Sequence, residues 1–169
     1  MDVKLNRAWV SLRLGWQFTN LLDGAVQDVN ITHTDNLTNG DGIHLATHPW
    51  RQDRVVAAGA NDDIDLSGLL YDAFGQNLPF AKIKGIFVRN NNVTPGDIIT
   101  VGGHGTAALV NWVAAANDKV RIYPGGFMLF WNPAAAGYAV TPASADMLRV
   151  AEVGGVNPVK YTIAFLGVV

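Results

Sequence analysis

The sequence has no cysteine, a single glutamate (Glu152), four glutamines and five lysines among its 169 residues. The lack of cysteine excludes disulfide bonds, thiol catalysis and thiolate metal sites. Glutamate, lysine and glutamine are the usual exposed residues of soluble helices, because their straight side chains lose little rotamer freedom there. Their scarcity therefore argues against a helical bundle or a coiled coil.

Charge and hydropathy exclude further classes. The net charge is -2 and the basic residues are scattered, so we expect no nucleic-acid partner. The chain has no apolar run of about 18 residues, so we expect no membrane-spanning helix and no membrane partner. The start, Met1-Asp2-Val3-Lys4, lacks an apolar stretch after a basic one, so we expect no secretory signal.

Turn-forming residues are abundant instead. The chain contains 13 aspartates, 14 asparagines and 18 glycines, which favour tight turns and positive φ. Hydrophobic residues make up 49% of the chain and charged residues only 15%. This composition predicts an all-β fold with many short strands, and part of the apolar surplus is expected at an interface.

The N-terminal stretch alternates between apolar and polar residues, as a half-buried strand does. Apolar residues stand at every second position: Val10, Leu12, Leu14, Trp16 and Phe18. A second alternation follows at Val29, Ile31 and His33, and residues 42–61 have no period. Residues 1–55 are therefore predicted to form an extended arm with one or two strands and long loops.

Residues 56–169 read as one β-sandwich or jelly-roll-like domain, because short strands and turn residues recur at regular spacing. Residues 65–74 fit either a short helix or a bent strand. The predicted strands are residues 83–89, 98–101, 120–123, 127–131, 138–140, 147–153 and 159–165.

Metal sites are weakly indicated. His44 and His48 have the i, i+4 spacing of a helical zinc site, but Pro49 follows and no helical pattern surrounds them. Residues 61–65 and 35–41 offer oxygen ligands for Ca²⁺, yet they read more easily as Asx turns. We expect no cofactor and no transition metal.

No enzymatic constellation stands out. Ser11, Ser67 and Ser144 lie outside any nucleophile elbow. A hydrolase with paired carboxylates would need aspartates such as Asp62, Asp63 or Asp146, and turn chemistry already accounts for these. Residues 102–105 (GGHG) resemble a phosphate loop but lack the Lys-Ser/Thr pair, so they are predicted to form a positive-φ turn.

The tryptophans raise the question of an interface. Trp16 and Trp131 lie in apolar strands and are predicted to be core residues. Trp50 and Trp112 lie in irregular, polar segments. They either anchor an interface or stack on sugar rings, or they fold back onto the body of the protein.

The central and C-terminal segments resemble a family of small virion structural proteins of tailed bacteriophages. The resemblance covers residues 55–168, and residues 1–50 fit more loosely. The chain is similar to capsid cement (decoration) proteins and to neck or tail accessory proteins. The segments that carry it are NDDIDLSGLLYDAFG (61–75), AKIKGIFV (81–88), VRIYPGG (120–126), ADMLRV (145–150) and YTIAFLG (161–167).

The resemblance implies a non-enzymatic protein of the virion, located on the capsid surface and made in the cytoplasm of the bacterial host. Its partners would be the major capsid protein and further copies of itself, most simply as a homotrimer. The alternative is a tail, neck or fibre-associated module that binds host glycans. The candidate interface residues are Val10, Leu12, Leu14, Trp50 and Trp112.

Overall fold

A computed structural model describes residues 5–19 and 22–169, with Phe18 described only in its backbone. Met1–Lys4, the start that we expected to carry no signal, and the side chain of Phe18 lie outside the described part. The described residues form strands and turns without any helix, which confirms the predicted all-β class. No helix among them is long and apolar enough to cross a membrane.

The strands vary from two to fourteen residues in length. In chain order they are β1 (Arg7–Thr19), β2 (Val26–Asn39), β3 (Leu45–Ala46), β4 (His48–Val56), β5 (Asn61–Asp65), β6 (Lys82–Asn90), β7 (Ile99–Gly102), β8 (Lys119–Ile122), β9 (Phe127–Trp131), β10 (Tyr138–Ala139), β11 (Met147–Glu152) and β12 (Val159–Val168).

The strands form three sheets. The five-stranded sheet has the order β10-β6-β12-β4, with β9 also paired to β6. The four-stranded sheet has the order β5-β11-β7-β8. The third sheet consists of β1, β2 and the short β3, in which β1 and β2 form a long antiparallel hairpin. We call residues 7–39 the hairpin and the two larger sheets the body.

One core cluster joins the facing sides of the two larger sheets. Inward residues alternate along β12, where Tyr161 and Ile163 are fully buried. Burial of a side chain of this size stabilises the fold by about 1.5–3 kcal/mol. The five-stranded sheet contributes Trp50, Val56, Ile83, Ile86, Val88, Tyr161, Ile163 and Phe165, and the four-stranded sheet contributes Ile64, Ile99, Val101, Ile122, Leu148 and Val150.

The strands predicted within the body from residue 83 onward are confirmed to within one to three residues at each end. The predicted alternatives for residues 65–74 are both wrong. Strand β5 ends at Asp65, and a series of turns follows. There Asp65 accepts hydrogen bonds from the amides of Ser67 and Gly68, and Asp72 accepts from those of Phe74 and Gln76.

The predicted division at residues 55 and 56 falls inside β4. This strand pairs with β12 from Val56 to His48, so it belongs to the five-stranded sheet of the body. The pattern did not predict β4, because Pro49 and three charged residues, Arg51, Asp53 and Arg54, interrupt its alternation. Pro49 is tolerated because β4 lies at the edge of its sheet. The arm therefore ends before β4.

The single glutamate serves the body as an internal anion. Glu152 is buried, and its carboxylate accepts hydrogen bonds from the amides of Gly59, Gly154 and Gly155. A Cβ on Gly154 would collide with the carbonyl oxygen of Gly96. Lys84 is a buried cation of the body, and its ammonium donates to the carbonyl oxygens of Gly42 and Ala135, which lie in two loops. Each buried charge thus ties loops to a strand.

Residues 102–105 form the predicted positive-φ turn. Gly102 has φ 105° and Gly103 has φ 73°. At Gly102 a Cβ would also lie 2.5 Å from the carbonyl oxygen of Asp118. These glycines are therefore required by the backbone, and they do not form a phosphate loop.

Candidate interaction surface

The hairpin has one polar and one apolar face, because β1 and β2 pair without a register shift over the whole length of β1. On the polar face, side chains satisfy one another across the strands. Ser11 lies 3.3 Å from Thr34 between hydroxyl oxygens, and the Gln17 amide donates to Asp28 at 2.9 Å. Trp9 and Val26 also lie on this side and are 63% and 55% exposed.

The opposite face is apolar and open. We call its apolar residues the hairpin apolar face: Val10, Leu12, Leu14, Trp16, Val29 and Ile31. The exposed His33 lies on the same side, opposite Leu12. Leu12, Leu14, Trp16 and Ile31 are between 38% and 49% exposed. Val10 and Val29 are half-buried. The structure therefore places the predicted interface residues Val10, Leu12 and Leu14 together on one side of β1.

Trp16 corrects a prediction, since it was expected in the core. Its strand does alternate, but nothing in the described part of the chain covers the side to which Trp16 belongs. Alternation reveals that one side of a strand is apolar. It does not reveal whether the same chain supplies the cover.

The root of the hairpin packs on the body. Leu37 and Ala8, which continue the hairpin apolar face, contact a small cluster that contains Leu166 and Trp131. Leu37 is fully buried there. The apolar side of the hairpin thus begins as an ordinary intramolecular contact and then extends past the body.

A hydrogen-bonded latch holds this root. The indole Nε1 of Trp131 donates to Asp35 Oδ2 at 2.7 Å, and His44 Nδ1 lies 2.9 Å from Asp35 Oδ1. Burial alone would raise the pKa of Asp35, but the hydrogen bonds from Trp131 and Asn36 and the nearby His44 together hold it below its ordinary value. Trp131 was predicted as core and is half-buried, with its polar edge used in the latch.

The body carries a second open apolar surface, on the side of the five-stranded sheet that faces away from the core. Its members follow from the register of β9, β6 and β12. Phe127 is 61% and Leu129 39% exposed, while Phe87 and Ala164 are half-buried. We call these four residues the sheet outer patch. A groove of about 230 Å³ is lined by three of these residues, Phe87, Leu129 and Ala164, together with residues 8–10 of the hairpin root.

Trp50 and Trp112 are not exposed anchors. Trp50 is 8% exposed and stacks on Phe165 with ring centroids 5.4 Å apart. Trp112 is 6% exposed, meets Phe130 edge-on, and donates to the carbonyl oxygen of Leu109. Of the two open interpretations, the structure supports side chains folded back on the body. Both were predicted as interface candidates because their polar sequence neighbours hide a buried position.

The aspartates of residues 61–65 lie in strand β5, so the expectation of an Asx turn there is wrong for Asp62 and Asp63. Because side chains alternate along a strand, these two carboxylates point to opposite sides. Arg54 donates to Asp62 at 2.6 and 2.7 Å, and the Tyr161 hydroxyl donates to it at 2.6 Å. Arg149 donates to Asp63 at 2.6 and 2.8 Å.

These pairings set the ionisation of the groups. Burial would raise the pKa of Asp62, but hydrogen bonds from Arg54 and Tyr161 outweigh it and lower that pKa. The hydrogen bonds from Arg149 lower the pKa of Asp63. Burial raises it by less, so the pKa of Asp63 also lies below its ordinary value. Burial and the bond to Asp62 raise the pKa of Tyr161. The three groups therefore act as structural partners and offer no general acid near neutral pH.

Residues 35–41 likewise belong to a strand over most of their length, since β2 continues to Asn39. Asp35 is used in the latch, and Asp41 accepts a hydrogen bond from Lys82 at 2.7 Å. Within residues 5–19 and 22–169, no three histidine or acidic side chains are grouped closely enough to hold a metal ion. His44 and His48 lie on either side of β3, without the helix that their spacing would need.

Asp146 and Ser67 lie close together without forming a catalytic group. The Ser67 hydroxyl is within hydrogen-bond distance of Asp146 Oδ2 and Asp65 Oδ1, at 2.8 and 3.0 Å. The amide of Ala143 also donates to Asp146. Since a serine nucleophile needs a base to accept its proton, and no histidine joins these contacts, the arrangement closes a turn.

Comparison with known proteins adds no identification. No protein-family model matches the chain, and no curated protein matches it significantly.

Proposed function

We propose that the chain is a non-enzymatic structural protein of a bacteriophage particle, a capsid cement protein that binds the assembled shell of major capsid protein. The observation that carries this proposal is the open hairpin apolar face. A two-stranded hairpin is marginally stable in water, and contiguous apolar surface on a soluble protein is typical of a binding site. A protein that coats a shell needs such a surface, either for the shell or for neighbouring copies of itself, and it needs no catalytic centre.

The body suits this role, since its two sheets share one core cluster. Several of its charged residues make contacts within the body. Glu152 accepts hydrogen bonds from backbone amides, and Asp62 pairs with Arg54. The resemblance of residues 55–168 to virion proteins supports a place on the virion, and we propose the capsid surface. The charge of -2 gives no electrostatic reason to assign a nucleic-acid partner.

The mechanism of such a protein is linkage. A ligand that binds only the assembled shell stabilises it by RT ln(1 + [L]/Kd), which is about 2.7 kcal/mol per site at a hundred times Kd. Many sites on one shell together resist the pressure of the packaged DNA.

The proposal is tested by mixing the purified protein with empty shells and counting bound copies by electron cryo-microscopy. We expect occupancy at regular positions over the whole shell, and a higher disruption temperature for decorated shells. Binding confined to the tail vertex, or no binding at saturating protein, would overturn the proposal.

A second candidate is a tail, neck or fibre-associated module that binds glycans. It is favoured by a cleft of about 470 Å³ lined by Trp50, Arg51, Gln52 and Tyr71. Tyr71 is 56% exposed, so it takes the place that Trp50 and Trp112 were expected to fill as a stacking surface. A glycan array compares the intact protein with Tyr71→Ala. A signal that the substitution abolishes supports this candidate, and the absence of any signal removes it.

A further inference from the structure

Two unpartnered apolar surfaces lie on the same chain, the hairpin apolar face and the sheet outer patch. We propose that in an assembly of this protein the hairpin apolar face of one copy docks on the sheet outer patch of a second copy, and that every copy both gives and receives a hairpin. This inference deepens the proposed function by naming how neighbouring copies contact each other, and its main test needs no shell.

The root of the hairpin already contacts the outer side of the five-stranded sheet within one chain. Ala8 and Leu37, at the root of the hairpin, already pack against Leu166 and Trp131 at one end of the same sheet. The hairpin apolar face repeats this chemistry farther along β1, and the sheet outer patch continues the sheet side beyond Leu166 and Trp131. The contact between hairpin and sheet that one chain makes at the root is thus available again between two chains.

The exposed areas of the two surfaces also favour a second copy of the chain. With about 150–250 Å² for a fully open large apolar side chain, the hairpin apolar face presents on the order of 350 Å² and the sheet outer patch on the order of 300 Å². A standard interface covers about 800 Å² per partner. Either surface alone supplies less than half of this area. A copy that uses both approaches it, which favours reciprocal docking between copies over docking of one unrelated partner.

The two faces of the hairpin differ in polarity. The opposite face carries cross-strand polar pairs, such as Ser11 with Thr34 and Gln17 with Asp28, beside the exposed Trp9. The continuous row of apolar side chains lies on the hairpin apolar face. The four residues of the sheet outer patch carry no polar side-chain atom, so their docking leaves none unsatisfied. The exposed Arg89 lies on the same side, opposite Phe127, and its long side chain can keep its charged end in water at the rim of the contact.

Disulfide trapping tests the contact directly, because the chain has no native cysteine and any crosslink must join introduced residues. The folded double variant Leu14→Cys/Leu129→Cys is oxidised at a concentration at which the intact protein self-associates. We expect covalent multimers that end at one largest closed species. Mixing the single variants Leu14→Cys and Leu129→Cys should give a covalent dimer that contains one of each, and neither single variant alone should crosslink.

Other results would overturn the inference. A disulfide confined to single chains would mean that the hairpin folds back on its own sheet. Efficient crosslinking of Leu14→Cys alone would mean that two hairpins face each other. No crosslink, together with a monomeric mass by light scattering, would mean that another partner, such as the shell, covers both surfaces.

Solution mass provides a second measurement with matched controls. Leu14→Thr/Ile31→Thr removes two paired apolar side chains from the hairpin apolar face and places a β-branched residue at both positions, which favours the strands. Its control, Ser11→Thr/Thr34→Ser, changes a cross-strand pair on the polar face. We expect the first variant to be at least tenfold weaker in self-association and the control to be unchanged.

The receiving side is tested in the same way. Leu129→Thr should weaken self-association, whereas Val153→Thr, an exposed position beyond β11, should not. Equal behaviour of each variant and its control would contradict the inference. A protein that self-associates but leaves shells bare refutes the proposed function alone, and a monomer that decorates shells refutes this inference alone.

Discussion

The hairpin and the body use the same strand pattern to different ends. In β12, alternation places Tyr161 and Ile163 against a facing sheet, where both are fully buried. In β1, alternation places Leu12 and Leu14 on a side that the described part of the chain leaves open. The difference lies in what stands opposite the strand, and it shows that an apolar stripe marks a surface to be covered, by the same chain or by another.

The largest expected effect comes from comparing one core position with one hairpin position. We expect Ile163→Ala to lower the free energy of unfolding by about 2–5 kcal/mol, because it leaves a cavity between the sheets. In the monomer, Leu14→Ala should cost less than about 1 kcal/mol, because its side chain is half open already. Urea denaturation at low protein concentration measures both. Equal losses would contradict the division into a covered and an uncovered side.

The next effect concerns the internal ion pair of the body. Asp62→Asn should lower the free energy of unfolding, measured by urea denaturation, by about 1–3 kcal/mol, because Arg54 and the Tyr161 hydroxyl lose a charged acceptor. The exposed Asp53 accepts hydrogen bonds from Arg51 and Thr162, and Asp53→Asn is the control. It should lower the free energy of unfolding by less than about 1 kcal/mol, and equal losses for the two variants would contradict the assignment.

The same pair gives a pH dependence of stability. The pKa of Asp62 is lower in the folded protein than in the unfolded chain. Its stabilisation is therefore complete above the unfolded pKa, about 3.9, and is lost as the pH falls through the folded pKa. Unfolding curves between pH 2 and pH 6 should show a smaller acid loss for Asp62→Asn than for the intact protein. An identical slope would contradict this assignment.

A smaller effect separates the turns of the two regions. Gly102 in the body and Gly24 in the hairpin turn both have positive φ, 105° and 72°. A Cβ at Gly102 also meets the Asp118 carbonyl, whereas at Gly24 nothing lies within 4 Å. We expect Gly102→Ala to cost about 2–3 kcal/mol and Gly24→Ala about 1 kcal/mol, measured by thermal unfolding. The reverse order would contradict the geometry.

The smallest effect on global stability is expected at the latch. Asp35→Asn keeps one acceptor for the Trp131 indole but removes the charge that faces His44. We expect faster amide hydrogen exchange along β1 and β2, with the unfolding of the body changed by less than about 1 kcal/mol. His44→Gln is the companion variant and should have the same local effect. Unchanged exchange in the hairpin would show that the apolar root alone holds it.

Much of the fold follows from local pattern. Strands β9 and β11 were predicted within one residue at each end, because apolar runs there stop at proline, glycine or asparagine. Strands β4 and β5 escaped, because charged residues such as Arg54 and Asp62 break the alternation. Those charges pair with each other, and Asp62 also accepts from Tyr161, 99 residues away. No local window contains this second contact.

The exposed apolar surface was predictable in half. The strand position of Val10, Leu12 and Leu14 follows from their alternation in a region predicted to be an extended arm, and their role as interface residues stays a prediction. Trp50 could not be placed, since its burial depends on stacking with Phe165, which is far away in sequence. The sheet outer patch was also missed. Phe127 and Leu129 lie in a continuous apolar strand that reads as buried on both sides.

The central claim is that the hairpin apolar face is covered by a second copy of the chain. The mass of the intact protein by light scattering, beside that of Leu14→Thr/Ile31→Thr at the same concentration, tests it most directly. The account predicts a defined multimer for the intact protein and a folded monomer for the variant. An intact protein that remains monomeric at its highest soluble concentration, or a variant that assembles equally well, would contradict it.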